Sequence, residues 1–300
     1  MKVAFYLSVL MALTCLTVVR AESTAPPVAD VHLHYNWSQA ELVSPAEVLA
    51  ILQRNQVQLA VVFSTPTTNA LRLSEISHGR VIPFFSPYLD ARTRYRWFLE
   101  PRVLEEARAG LASGAYQGIG EVHVISGLGP RRDNAIFQGL LKLAAQFDVP
   151  FNIHTEASDY RFLVPICQQH SKVRFLWAHA GGILGAEHAR GIIQACPNVW
   201  IELSARDPFH YGGLVDEHGA LYPGWRELFI EHPERFMFGT DPVWKAQQVD
   251  RWDEADEGWL HYEEILAFHL KWLASLPQEA AEKIRLYNAL QFFNAGHAGD

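Results

Sequence analysis

The chain has 300 residues, 49% of them apolar and 19% charged, the composition of an ordinary soluble domain. Its 25 basic and 33 acidic residues give a formal net charge of −8, which argues against nucleic acid as the main partner. Three cysteines in a chain of this length are no disulfide framework, and none has metal-site spacing.

The first 21 residues differ from the rest. Met1-Lys2 supplies a short positive start, Val3 to Val19 is almost uncharged, and Val19-Arg20-Ala21 ends in a small residue before Glu22-Ser23-Thr24. This is the pattern of a secretory signal peptide over residues 1–21, whose cleavage gives a secreted or periplasmic protein with no stable membrane insertion. The competing reading is an uncleaved anchor, since the stretch is nearly long enough to span. Cleavage removes Lys2 and Arg20 and no acid, so the net charge moves from −8 to −10. Cys15 leaves with the segment, and Cys167 and Cys196 either pair or stay as buried thiols. Residues 22–27, which include Ala25-Pro26-Pro27, form a linker into one domain, 28–300.

Short apolar runs at 28–34, 58–64, 80–86, 117–122, 150–154, 173–178, 198–203 and 236–240 read as fully buried parallel strands. Amphipathic stretches lie between them, among them 45–55, 103–113, 134–147, 160–170, 186–195 and 222–232, and 276–293 supplies a closing helix. Strand–helix alternation repeated eight times predicts an α/β fold, a single-domain (β/α)8 TIM barrel. Two long excursions, 87–116 and 242–258, belong over the mouth, where substrate-shaping loops sit. Trp37, Trp97 and Trp244 fall in mouth loops and suit an apolar or aromatic pocket.

Metal-ligand residue types end five of these runs. His32 and His34 close VADVHLH, Glu121 follows YQGIG, His154 ends VPFNIH, His179 ends VRFLWAH, and Asp241 ends RFMFGTD. All strand C-termini of a parallel barrel point to one mouth, so residues distant in sequence converge there. Period-two alternation puts His32 and His34 on one face, able to chelate one divalent ion, with Asp30 one layer deeper as a salt-bridged core acid. Glu121 can bridge two ions about 3.5–4 Å apart, and His154 and His179 are natural ligands of the second. Asp241, on the strand that closes against the first, can touch the His32/His34 ion and carry the proton of a water whose pKa the ion has lowered. His123, Glu156 and Arg206 share the lumen parity and are candidates for holding substrate or supporting the ligands. Ser204 and Arg206 aim at the mouth with Glu202 below, and Arg206 has a salt bridge to Glu202 or Asp207 as its alternative role.

His32-X-His34, His154, His179 within His-Ala-Gly-Gly, Gly-Thr-Asp241-Pro and the ending Tyr-Asn288-Ala-Leu-Gln-Phe-Phe together resemble the amidohydrolase superfamily. Specifically, they resemble its amidohydrolase-2 branch of metal-dependent barrels, over roughly residues 28 to 294. The resemblance implies that His32, His34, His154, His179 and Asp241 are metal ligands, with Asp241 doubling as proton shuttle. Glu121 matches the strand-four carboxylate of binuclear members such as the TatD-like enzymes. The expected activity is hydrolysis of an ester, lactone, amide or phosphoester bond of a small molecule. The alternative is a mononuclear nonoxidative decarboxylase, which the His-Ala-Gly-Gly motif and Arg206 would also suit; many decarboxylases of this branch hold one metal and no bridging acid, a difference that favours the hydrolase. The cofactor is one or two divalent ions; zinc is the first choice, and the His/carboxylate set also accommodates Mn, Fe or Co. Homo-oligomerisation stays open.

Overall fold

The computed structural model describes residues 25–90, 93–124, 130–155, 158–244 and 254–294. The segment read as a signal peptide and the candidate Glu156 lie outside them. Eight strands follow in chain order: β1 Val28–His34, β2 Val57–Phe63, β3 Val81–Pro83, β4 Ile119–His123, β5 Phe151–His154, β6 Phe175–Trp177, β7 Val199–Glu202 and β8 Phe236–Met237. All pair in parallel, in two ladders, β1-β2-β3 and β4-β5-β6-β7-β8.

Backbone hydrogen bonds cross both seams between the ladders. Phe85 N donates to Gly118 O and Gly120 N to Phe85 O, each at 2.9 Å; on the other side Val31 N reaches Phe238 O at 3.1 Å and Asp241 N reaches His32 O at 2.9 Å. The fold is the parallel β/α barrel expected from the eightfold alternation, and each strand falls on its expected run. β3, β6 and β8 are half the length of their runs or less. Beyond Met237 the chain leaves the ladder, and Asp241 takes a left-handed φ of 53°.

Local chemistry starts the helices. Ser44 accepts from Glu47 N while the Glu47 carboxylate accepts from Ser44 N, and Pro45 opens helix Pro45–Arg54. Asn134 caps helix Ala135–Gln146 by accepting from Ile136 N and Phe137 N. Helix Thr68–Ile76, between β2 and β3, was not among the amphipathic stretches: its buried face is only Asn69, Ala70 and Leu73. The main core lies between strands and helices, and Ala29, Val31, Leu59, Val61, Phe63, Phe84 and Met237 form a second cluster with Phe292 and Phe293 of the closing helix. No helix among the described residues is long and apolar enough to cross a membrane.

Asp30 departs from its expected place. The β1–β2 register shifts between Asp30 and Leu33, so strict alternation does not hold across that interval. Among the described residues Asp30 has no salt-bridge partner; it accepts from Thr240 Oγ1 (2.6 Å), Thr240 N (3.0 Å), Tyr262 Oη (3.1 Å) and His32 N (3.2 Å). It thereby pins β1 to the segment that carries Asp241, and burial pushes its carboxyl up to about 7 against those bonds.

Cys167 and Cys196 form a disulfide, with Cα atoms 6.1 Å apart and a sequence separation of 29. It ties helix Val164–Gln169 to the end of helix Ala186–Ala195. A loop of that length restricts the unfolded chain by about 3.5 kcal/mol. Replacing both cysteines by alanine should lower the urea midpoint by that equivalent, and an unchanged midpoint would show the cross-link to be neutral.

Candidate metal centre

The five strand ends do converge. His32, Glu121, His154, His179 and Asp241 are all buried, and His34 is largely so. His179 comes from a turn, Ala178–Gly181, in which His179 and Ala180 have φ values of 56° and 49°. Gly181 follows at φ 78°, where a Cβ would stand 2.5 Å from the Trp177 ring. With Ala205 (52°) and Asp241 (53°), four non-glycine residues around the mouth have left-handed backbones. Such conformations cost about 1–3 kcal/mol each and persist only where the surroundings dictate them.

Glu121 is the hub. Its Oε2 lies 3.3 Å from His34 Nε2, 3.8 Å from His32 Nε2 and 3.1 Å from His123 Nε2. Its Oε1 lies 3.2 Å from His179 Nε2 and is hydrogen-bonded to His154 Nδ1. Asp241 approaches from the opposite side, 3.6 Å from His34 Nε2 and 4.0 Å from both His32 Nε2 and His179 Nε2.

Glu202 sets the direction of two rings. Its Oε1 accepts from His32 Nδ1 at 2.9 Å and from His179 N at 2.8 Å, while Oε2 accepts from Ser204 N at 2.8 Å. Ser204 Oγ holds His179 Nδ1 at 2.8 Å. With Nδ1 engaged, each ring turns Nε2 inward, the arrangement that supporting groups impose on metal-binding histidines. Sequence parity placed Glu202 below the mouth but gave it no such task. Its spacing from Ser204 on β7 was the available signal.

The electrostatics follow from crowding. Burial opposes ionisation of Glu121, but His123, His154 and His32 hold its carboxyl well below the usual range. Burial likewise opposes ionisation of Glu202, and His32 and His179 bring it to about 2. Burial lowers the His32 imidazolium, yet Glu202, Asp241 and Glu121 outweigh it and raise it to about 9. The site is thus arranged to hold positive charge. Two further features suit a cation: His32 Nε2 and His34 Nε2 face one another at 3.2 Å, and the buried Asp241 Oδ1 accepts no hydrogen bond from the described residues. Among the described residues, three donor groups could each hold an ion: His32/His34/Asp241, His32/Glu121/His179 and Glu121/His123/His154. Imidazole and carboxylate donors in this number fit Zn²⁺ and its neighbours.

The match to known proteins agrees with this geometry. The family model described as Amidohydrolase, of the amidohydrolase-2 type, matches residues 29–295. The chain belongs to the amidohydrolase family. It is an enzyme of that superfamily, whose members are metal-dependent and act on small molecules. No curated relative matches the sequence. Among solved structures, the chain resembles a probable 2-pyrone-4,6-dicarboxylic acid hydrolase of Acinetobacter baumannii with citric acid bound (TM-score 0.59, 12% identity, 90% of this chain and 100% of that one). It also resembles a triple mutant of the organophosphorus hydrolase of Deinococcus radiodurans (0.57, 12%, 92% and 95%). A third is an amidohydrolase of Burkholderia multivorans with bound zinc (0.51, 15%, 89% and 99%). At these identities the likeness is one of fold.

The amidohydrolase mouth opens into a cavity of about 350 Å³, lined by His34, Glu121, His123, His154, His179 and Asp241 together with Tyr88, Arg94, His210, Tyr211 and Trp244. Tyr88, His210, Tyr211 and Trp244 come from loops and Arg94 opens the 3-10 helix Arg94–Leu99, so none had a strand-end signal; of the three tryptophans, only Trp244 lines the cavity, and Trp97 is buried against Tyr88. Asp207 Oδ2 holds His210 Nδ1 at 2.8 Å. Arg206 does not reach the cavity, and neither of its expected salt bridges forms. It is fully buried, donates to Leu184 O at 3.0 Å and lies over Trp225 with Cζ 5.1 Å from the ring centroid. The left-handed turn at Ala205 ends the alternation that aimed it at the mouth.

The loop after β8 is tied back through Asp256, whose N–H donates to Ser38 O at 3.0 Å and whose Oδ1 accepts from Gly258 N at 2.8 Å. Burial, helped by Asp241 and Glu257, pushes its carboxyl up to about 7 from 3.8. Between those two values the folded state keeps a proton that the unfolded chain has lost, so stability falls as pH rises through this window. In Asp256→Asn this part of the slope should vanish, which melting curves from pH 4 to 7 would reveal. An unchanged slope would remove Asp256 from the account.

Proposed function

We propose that this amidohydrolase is a metal-dependent hydrolase that splits an ester, lactone, amide or phosphoester bond of a small substrate. The observation that supports this most is the placement of Glu121, a buried carboxylate with one oxygen facing the β1 histidines and the other facing His154 and His179. A carboxylate so placed suits two ions in one centre. In this reading His32, His34, Glu121, His154, His179 and Asp241 are the ligands, with zinc as the first choice of ion. Bound divalent ions supply Lewis acidity, which polarises the scissile carbonyl or phosphoryl oxygen and acidifies the attacking water.

The chain's own groups do the rest. Asp241, which lines the cavity and whose Oδ1 has no hydrogen-bond partner among the described residues, takes the proton of the attacking water and returns it to the leaving group. Glu202 and Ser204 keep His32 and His179 from rotating during that exchange. Tyr88, Tyr211 and Trp244 give the substrate an aromatic wall, and Arg94 places a cation among them. Arg206, a candidate for holding a substrate carboxylate or phosphate, stands outside the cavity, so the cation that lines it is Arg94.

The test is a panel of lactones, amides and phosphotriesters offered to the zinc-loaded protein. Hydrolysis of at least one class, lost on chelation and restored by metal, is expected. Asp241→Asn should then lower kcat by about 10²-fold or more. Carbon dioxide release from hydroxybenzoates with no hydrolysis, or full turnover in the Asp241→Asn variant, would overturn the proposal.

A further inference from the structure

We propose that the substrate carries a carboxylate remote from the bond that is split, and that Arg94 is the residue that selects it. The inference rests on the hydrolase reading above and names the substrate class of the same cavity. Among the described residues that line the cavity, Arg94 is the one lysine or arginine. The two acids of the lining, Glu121 and Asp241, both belong to the cation centre. The guanidinium is within electrostatic reach of Tyr88, Glu121 and His123, which places it on the β4 side of the mouth. Burial draws it below the usual arginine range, yet arginine stays charged. A cation already partly stripped of water gains most from an anion that enters with the ligand.

The backbone fixes Arg94 in that place. It opens the helix Arg94–Leu99 behind a turn in which Asp90 Oδ1 accepts from Thr93 N at 2.8 Å and Thr93 Oγ1 accepts from Asp90 N at 3.1 Å. Trp97 of the same helix packs on Tyr88, whose Oη accepts from His123 N at 3.0 Å. Aromatic rings stand at both ends of the row His123, His154, His179: Tyr88 is 5.8 Å from the His123 ring and Tyr211 is 5.5 Å from the His179 ring. Asp241 is at the His179 end, 4.0 Å from its Nε2. A ring-bearing substrate seated between the two tyrosines therefore has its carboxylate beside Arg94 and its scissile bond toward Asp241. The guanidinium fork matches a planar carboxylate through two parallel hydrogen bonds. One guanidinium balances one carboxylate, whereas a phosphate dianion calls for more donors than Arg94 alone offers. The cavity of about 350 Å³ limits the ligand to a small molecule. The chain as a whole, at −8, repels anions, so the attraction is local to this point.

The test offers the zinc-loaded full chain pairs of aryl esters and lactones that differ in one ring substituent, carboxylate against carboxamide. The carboxylate member should have the higher kcat/KM. Arg94→Ala should lower the carboxylate-to-carboxamide ratio of kcat/KM by about tenfold or more, chiefly through KM, at unchanged zinc content. Arg94→Lys, which keeps the charge and loses the fork, should retain part of the preference. Should the alanine variant fail to fold, Arg94→Gln is read in the same way. A ratio that Arg94→Ala leaves unchanged, or a carboxamide turned over faster than its carboxylate by the unmodified protein, would overturn the proposal while leaving the hydrolase reading standing. If neither member is hydrolysed, the hydrolase reading fails and calorimetric titration with benzoate and benzamide decides this one. Benzoate bound more tightly than benzamide, and about tenfold or more weakly by Arg94→Ala at equal zinc content, would uphold it. Benzoate bound no better than benzamide, or equally well by the variant, would overturn it.

Discussion

Three buried carboxylates, Glu121, Asp241 and Glu202, share the barrel mouth with the imidazoles of His32, His34, His154 and His179. Their mutual attraction organises everything around them. In a low-dielectric pocket such acids cannot all ionise unless positive charge is supplied, and imidazoles cannot all be charged without them. Two of the acids bring Nε2 atoms to face inward, one by clamping Nδ1 and the other by lying within reach of Nε2. What this constellation favours is a cation at its centre, held by lone pairs already aimed at it.

The backbone is bent to serve that arrangement. His179, Ala180, Ala205 and Asp241 hold left-handed conformations that only the surrounding hydrogen bonds maintain. Asp241 N donates to His32 O across the seam, Ala205 N to Thr240 O, and Asp30 ties Thr240 to Tyr262. The seam beside β1 is therefore both a structural closure and the device that sets Asp241 over the histidines. Four of the seven left-handed non-glycine residues among the described residues lie at this mouth, and such clustering is characteristic of a functional site.

Much of this was legible in the sequence, for identifiable reasons. Parallel strands buried on both faces leave continuous apolar runs, so the eight strands and the groups at their ends stood out. His32, His34, Glu121, His154, His179 and Asp241 are brought together because strand polarity alone sends them to one mouth. Side-chain direction was less legible, since it depends on strict alternation. The register shift in β1 removed Asp30 from its expected layer, and the turn at Ala205 took Arg206 out of the cavity. Tyr88, His210 and Tyr211 sit on loops and Arg94 on a short 3-10 turn, where position follows from tertiary packing and carries no periodic signal.

The most direct test of the central claim is anomalous diffraction at the zinc edge from crystals grown with zinc. The account predicts a peak about 2.0–2.2 Å from His32 Nε2, His34 Nε2 and an Asp241 oxygen, at the heart of the mouth. A mouth without anomalous density, with zinc found only on the outer surface, would contradict it.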